Sequence, residues 1–325
     1  MNVLVIGGAG YIGSHIVYEL IDNGHNVTVL DNLSTGHAEN VCSGADLFVG
    51  DMQDLNLLQK LLSGKGNEKF DSVFHFAALK AAGESMIKPE KYTLNNTVAT
   101  LNLLNVLLEN DIKNFVFSSS AATYGSPEYL PIDESHPNKP INYYGYTKLA
   151  IEQTLAWYSQ LKGLRYAALR YFNAAGYDVK GRVRGKEQNP ANLLPIVMEV
   201  ATGVRNKMQV YGNDYPTRDG TCIRDYIHVN DLATAHVKAM EYLRDEDEDL
   251  VLNLATGEGY TVLDVIKEVE AVVGFAINYD ITGRREGDPA ELVAASSLAL
   301  EKIGWKAEHS DLNTLVKSMW EIYKD

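Results

Sequence analysis

Residues 2–15 read NVLVIGGAGYIGSH, an apolar run that stops against glycines and restarts with the spacing of a helix. Val3 to Ile6 predict a buried strand, and Tyr11 onward predicts a helix that Gly24 ends. Between them Gly7, Gly10 and Gly13 stand in a G-x-x-G-x-x-G spacing. Glycine is needed there because the turn is tight and because the backbone must approach a pyrophosphate seated on the helix N-terminus. Asp31 closes the next strand about twenty residues on. A carboxylate at that point accepts from both ribose hydroxyls of adenosine and repels a 2′-phosphate, so the expected cofactor is NAD rather than NADP.

The same alternation continues outward. Strand candidates at 45–51, 71–78, 114–120 and 164–173 are separated by segments of helix length. Such βαβ units imply an α/β fold, a doubly wound parallel sheet of the Rossmann kind with helices on both faces. The expected division is a cofactor domain over 1–173, with 225–250 packing back onto it, and a smaller α/β substrate domain over 174–325. The segment 176–190 and the stretch 211–221 read as loops, and 244–250 as a solvated charge run.

Successive strand ends then furnish a lining for the dinucleotide. Tyr11 and Ile12 lie inside the glycine turn, Asn32 follows Asp31, and Asp51 with Met52 ends the third strand. Phe76, Ala77, Ala78 and Lys80 follow the fourth.

Composition bounds the partners. The 325 residues carry a net charge of −14, which leaves no general footprint for nucleic acid or an anionic membrane. An anionic substrate would therefore need locally placed arginines. No apolar run approaches a membrane span, the opening residues show no secretory pattern, and Cys42 and Cys222 have no metal-binding or disulfide spacing. The expected compartment is the cytoplasm, with no metal.

The stretch INYYGYTKLAIEQ, from Ile141, crowds three tyrosines ahead of one lysine. A tyrosine serves as a base at neutral pH only with help, since its ordinary pKa is about 10. A lysine on the same helix face supplies it, and residues four apart share a face. Only Tyr144 stands four before Lys148; Tyr143 and Tyr146 point elsewhere. The strand FVFSSS ends in serines, and a hydroxyl there can bond the substrate oxygen that Tyr144 deprotonates. A second helix pattern, 89–110, is apolar well around its circumference: Leu94, Val98, Leu101 and Leu108 mark one stripe, and Leu103, Leu104 and Leu107 widen it. It predicts cover on more than one side, either between domains or by a helix of a second subunit.

With the glycine turn, the serines and the Tyr144–Lys148 pair in this order, the chain resembles the extended short-chain dehydrogenase/reductase family. Within it, the chain is similar to members that invert C4 of UDP-sugars, through segments 7–15, 31–36, 74–85, 115–125, 144–148, 169–176, 211–229 and 284–288. The stretch YGNDYPTRDGTCIRDYIHV, 211–229, is the most specific of these. The resemblance implies interconversion of UDP-galactose and UDP-glucose through a 4-keto sugar. Tyr144 would be the acid/base, Lys148 its partner and a ligand of the nicotinamide ribose, and Ser120 the hydroxyl. Asn95 and Phe172 would join the cofactor pocket. Asn173, Asn192, Leu193, Gln209, Tyr211, Arg224, Arg285 and Asp288 would hold the UDP half, the arginines suiting a diphosphate. The family also implies a homodimer through the Leu-rich helix and the Tyr144 helix.

Three departures from the family pattern stand out. Tyr143 replaces a frequent proline, Cys222 occupies a site where a small residue is common, and Leu292 stands where the family gates N-acetylated sugars. Its intermediate bulk leaves UDP-GlcNAc and UDP-GalNAc as an alternative substrate pair. A 4,6-dehydratase needs acidic residues after the strand-end serine, and this chain has Ala121 and Ala122 there. A non-catalytic scaffold would not keep all three of Ser120, Tyr144 and Lys148. A simple alcohol dehydrogenase would have no use for the UDP-binding segments.

Overall fold

The computed structural model describes residues 1–63, 69–187, 190–285 and 287–325. Gln188 and Asn189 of the expected loop, and Glu286 of the 284–288 motif, lie outside the described residues. The strands are β1 (Asn2–Ile6), β2 (Asn26–Asp31), β3 (Asp46–Val49), β4 (Ser72–His75), β5 (Asn114–Ser120), β6 (Arg165–Tyr171), β7 (Asn173–Ala175), β8 (Met208–Tyr211), β9 (Ile223–Arg224), β10 (Tyr226–His228), β11 (Leu250–Leu254), β12 (Tyr260–Thr261), β13 (Tyr279–Thr282) and β14 (Glu291–Leu292). The helices are α1 (Tyr11–Asp22), α2 (Leu55–Leu62), α3 (Ala82–Ile87), α4 (Pro89–Tyr92), α5 (Ala99–Glu109), α6 (Tyr143–Lys162), α7 (Leu193–Ala201), α8 (Val229–Glu246), α9 (Val262–Val273), α10 (Ser297–Ile303) and α11 (Leu312–Tyr323).

Seven strands form one sheet in the order β11-β6-β5-β4-β1-β2-β3. The pairings of β1 with β2 and β4, β2 with β3, and β4 with β5 are parallel. Their cores are almost wholly buried, as strands covered on both faces require. Ile6 lies opposite Leu30 and His75, and Asp31 opposite Val49, so the carboxyl ends align along one edge. Chain order reverses between β1 and β4, the switch point at which doubly wound sheets take their ligands. Leu103, Leu104 and Leu107 of α5, with Ile151 and Leu155 of α6, pack against Phe115 and Phe117 of β5 in the core.

The chain divides into two compact units: Met1–Gly125 with Asn138–Arg170 and Ala233–Leu252, and Ser126–Pro137 with Tyr171–Leu232 and Asn253–Asp325. Against the expected bounds, the returning segment is 233–252 rather than 225–250. A short excursion, 126–137, clusters with the second unit because its strand-like residue Ile132 pairs with Val293 and Ala295. The second unit holds small sheets, β10 beside β7, β9 between β12 and β14, and β13 beside β8.

The Leu-rich stretch is not one α-helix. After α4, Thr93–Val98 takes π-helical form before α5 begins. Leu103, Leu104 and Leu107 are buried as their breadth implied, whereas Leu94 and Val98 are exposed.

Candidate active site

The glycine turn is built by close packing of backbone. Gly7 has φ +83°, and a Cβ there would lie 2.6 Å from the nitrogen of Ala77 at the end of β4. A Cβ on Gly13 would run into the carbonyl of Gly7, so β1 and α1 meet at van der Waals distance only as glycine. No side chain caps α1 at Gly10, the helix end that a pyrophosphate would take. Asp31 is buried; it accepts from the nitrogens of Ala9 at 2.9 Å and Leu33 at 2.8 Å, fixing the glycine turn against β2. Asp51 accepts from Asn32 at 3.0 Å and from the Gln53 nitrogen at 2.8 Å. Burial works against its charge, but those hydrogen bonds outweigh it and hold the carboxyl below its usual range.

The nitrogens of Phe76 and Ala77 both donate to the carbonyl of Ile6, at 2.8 and 3.1 Å, which carries the chain across the end of β1. Met52 is buried beside this edge, Ala78 is partly exposed and Lys80 exposed. The turn, the uncapped helix end and the carboxylates at the ends of β2 and β3 together fit a dinucleotide, with Asp31 suited to an unphosphorylated ribose. Asn95 is half-buried in the π-helical turn. Its neighbour Asn96, not anticipated from sequence, is fully buried. Its side chain accepts from the Leu79 nitrogen at 2.9 Å and donates to the Leu79 carbonyl at 2.9 Å and to Thr147 at 3.2 Å. It thereby ties the segment after β4 to α6; the π-helical turn that aims it inward leaves no apolar periodicity to find it by.

Helix α6 begins with Asn142, whose side chain accepts from the Gly145 nitrogen at 2.8 Å, and ends at Gly163 with φ 68°. The three tyrosines separate as the spacing predicts. Tyr143 shares a hydrogen bond of 2.7 Å with Thr93, Tyr146 is exposed, and Tyr144 turns toward the end of β5, where it hydrogen-bonds Ser120. Although the Tyr144 ring keeps some solvent contact, burial of the phenol pushes its pKa up, and the Ser120 bond opposes that. The Lys148 ammonium stands 5.9 Å from the centre of the Tyr144 ring, close enough to favour the phenolate while it is charged. It donates to the Ser118 carbonyl at 2.7 Å and lies 4.7 Å from the Phe117 ring centre. Burial brings its pKa down to about 7, with Glu152 acting in the opposite sense. Ala121 and Ala122 follow Ser120 in a short 3-10 turn, and the nitrogen of Ala122 donates to the Ser120 hydroxyl at 3.1 Å.

The second unit contains a cavity of about 350 Å³. Asn173, Asn192, Leu193, Gln209, Tyr211, Arg224, Arg285 and Asp288, all named from the sequence, line it. Leu292 does not; it sits in β14 opposite Arg224 of β9. Phe172 falls between β6 and β7, in the second unit. Alternation along β8 turns Gln209 and Tyr211 outward and buries Met208 and Val210. Arg285 lies 4.4 Å from the centre of the Tyr211 ring, and Arg224 pairs with Asp288. Arg284 is taken up by Asp214 at 2.7 Å and by stacking on Tyr215. No side chain caps α7 at Asn192, so its positive end opens on the same cavity. Arg205, Lys207, Cys222 and Tyr226 also line it. Sequence reasoning missed the first two, which look like ordinary surface cations, each paired with an acid.

A model of the NAD dependent epimerase/dehydratase family matches residues 3–255. A UDP-glucose 4-epimerase of Halalkalibacterium halodurans is 46% identical over 100% of this chain and 96% of its own length. Among solved structures, a UDP-glucose 4-epimerase from Brucella ovis in complex with NAD superposes with a TM-score of 0.96 at 43% identity, over 99% of this chain and 98% of that one. Another from Bifidobacterium longum, in complex with NAD+ and UDP, gives 0.91 at 40% identity over 99% and 98%.

Proposed function

The chain belongs to the NAD dependent epimerase/dehydratase family, and on that premise we propose that it interconverts UDP-galactose and UDP-glucose by inversion at C4. The observation that carries this is Tyr144, hydrogen-bonded to Ser120 and 5.9 Å from the Lys148 ammonium, at the end of β5 in a dinucleotide fold. NAD, when bound, supplies the acceptor and donor of hydride for C4. Gly7, Gly10 and Gly13 with Asp31 would hold it, and Asp51 and Asn95 would complete its lining in the first unit.

Tyr144 as phenolate takes the proton of the sugar 4-hydroxyl and later returns it to the same oxygen. Ser120 orients that oxygen through its hydroxyl, and Lys148 lowers the cost of the phenolate. Ala121 and Ala122 offer no second acid/base, which fits inversion and not dehydration. Arg224, Arg285 and the uncapped end of α7 would balance a diphosphate, and Tyr211, Asn173 and Gln209, which line the same cavity, would meet the rest of the nucleotide. Asp288 pairs with Arg224, so the anion must share that arginine. The protein acts as a homodimer joined through α6 and the 93–109 stretch, where Leu94, Tyr146, Trp157 and Leu161 are exposed apolar side chains.

The test is conversion of UDP-galactose to UDP-glucose by the purified protein, read with a coupled dehydrogenase, with UDP-GalNAc in parallel. Turnover of the first pair is expected, and Tyr144→Phe should lower kcat by about 10² to 10⁴. No turnover by folded native protein with NAD supplied would overturn the assignment. Turnover of UDP-GalNAc as well would extend the substrate range to N-acetylated sugars.

A further inference from the structure

Three successive residues of β5 each engage one member of a stripe along α6. The Ser118 carbonyl accepts from Lys148, the Ser119 hydroxyl donates to Glu152, and the Ser120 hydroxyl bonds the phenol of Tyr144. Tyr144, Lys148 and Glu152 follow at i, i+4 and i+8, one face of the helix. The first two move or support a proton; the third has no part in the reaction described above.

Glu152 is only 5% exposed and is gripped by Arg170 of β6, Nε to Oε1 at 2.9 Å and Nη2 to Oε2 at 2.5 Å. Arg170, 4% exposed, gives a further donor to the Tyr124 hydroxyl at 3.0 Å and lies 4.9 Å from that ring centre. Burial works against its charge, but the hydrogen bonds and charge of Glu152 prevail and raise its pKa. Stability is a weak reason for such a pair, since apolar residues of similar volume often serve as well or better.

Lys148 supplies a better reason. At 3% exposed it faces a large desolvation cost, and Glu152 is the charge that opposes it. The other titratable groups around the stripe do not share this role. His75 of β4 bonds Thr100 at 2.8 Å and is held neutral, pushed down to about 3 by burial and by Lys148. Tyr144 and Tyr166 are phenols raised by burial, Tyr124 bonds Arg170, and Arg170 is a cation. Among these described neighbours Glu152 is the sole anion.

We propose that Glu152 is a positioning residue for the acid/base pair: clamped by Arg170 and Ser119, it holds α6 in register on β5 and keeps the Lys148 ammonium protonated beside Tyr144. Its bearing on turnover rests on the epimerase function above; its effect on Lys148 does not. The carboxylate acts on Lys148 through its field, and on Tyr144 only through Lys148.

The experiment is a pH titration of the Lys148 side chain by NMR of the full-length protein labelled with carbon-13 at lysine Cε, the signal being assigned by its loss in Lys148→Arg. Glu152→Gln is expected to lower the midpoint by about one pH unit. The alkaline limb of the kcat profile should move down with it, while KM for UDP-galactose changes little. Ser119→Ala keeps the carboxylate and should leave the midpoint near native. Should Glu152→Gln fail to fold, the double variant Glu152→Met/Arg170→Met keeps apolar volume at the site; because the Arg170 cation leaves with the carboxylate, a smaller shift in the same direction is expected. A folded charge-removing variant with the native midpoint would overturn the proposal, as would a shift in Ser119→Ala as large as that of Glu152→Gln. Absence of turnover in the native protein would overturn the function and leave the titration to decide the proposal by itself.

Discussion

Lys148 brings a charge into a packed setting, and its proton affinity records the cost. Burial, partly offset by Glu152, brings its pKa from 10.5 to about 7. Between those values the unfolded chain binds more protons than the folded one, so stability rises with pH across that window. Lys148→Met should abolish this part of the slope. Urea unfolding of native protein and Lys148→Met at pH 7 and pH 9 checks it: native should gain on the order of 2 kcal/mol relative to the variant. A parallel change in both would place the lysine in a more solvated setting. At this scale the sequence was readable where one short-range rule decides. The i,i+4 rule separates Tyr144 from Tyr143 and Tyr146, and the structure sends the three rings where that rule says. Asn96 and Glu152 escaped, because their partners, Leu79, Thr147, Ser119 and Arg170, lie far along the chain and no local spacing announces them.

Helix α6 must arrive at β5 within hydrogen-bond tolerance for Tyr144 to meet Ser120. Two devices set its entry: the Asn142 cap and Gly145, where a Cβ would run into the Ala122 carbonyl. Gly145→Ala should therefore push the first turn of α6 away from the end of β5, lowering kcat at least tenfold while the fold survives. Circular dichroism and the coupled assay together check this; native kcat would show that the first turn has slack. Asn142→Ala, by contrast, should cost about 1 kcal/mol of stability through the lost cap. The β1–α1 turn was legible because glycine spacing and strand-end position agree. The π-helical stretch 93–98 was not, since leucines at helical spacing look the same whether or not the backbone widens by one residue. Leu94 and Val98 stand exposed on the single chain; a helix of a second subunit was one of the two covers expected for that stripe.

At the scale of the whole molecule the seven-stranded parallel sheet followed from the alternation of strand and helix patterns, but the boundary between units did not. The excursion 126–137 joins the second unit through pairing with residues beyond 290, a contact no window of sequence contains. Likewise the cavity cations Arg205 and Lys207 gain meaning only once β8 places them beside Gln209 and Tyr211. Trp157 is 61% exposed and Leu161 65%, one turn apart on α6, a large apolar area for a helix to leave bare. If the protein is the homodimer proposed above, sedimentation velocity should give the native chain a dimer mass and Trp157→Glu/Leu161→Glu a monomer mass; a dimer mass in both would move the interface elsewhere, and a monomer mass in the native chain would contradict the homodimer. The central claim is that C4 is oxidised and reduced within one site, with Tyr144 handling only the oxygen-bound proton. It is tested most directly by converting UDP-galactose carrying deuterium at C4, in ordinary water with no NAD added, and measuring the label in UDP-glucose. Full retention of deuterium at C4 is the predicted result. Loss of the label to solvent would contradict the account.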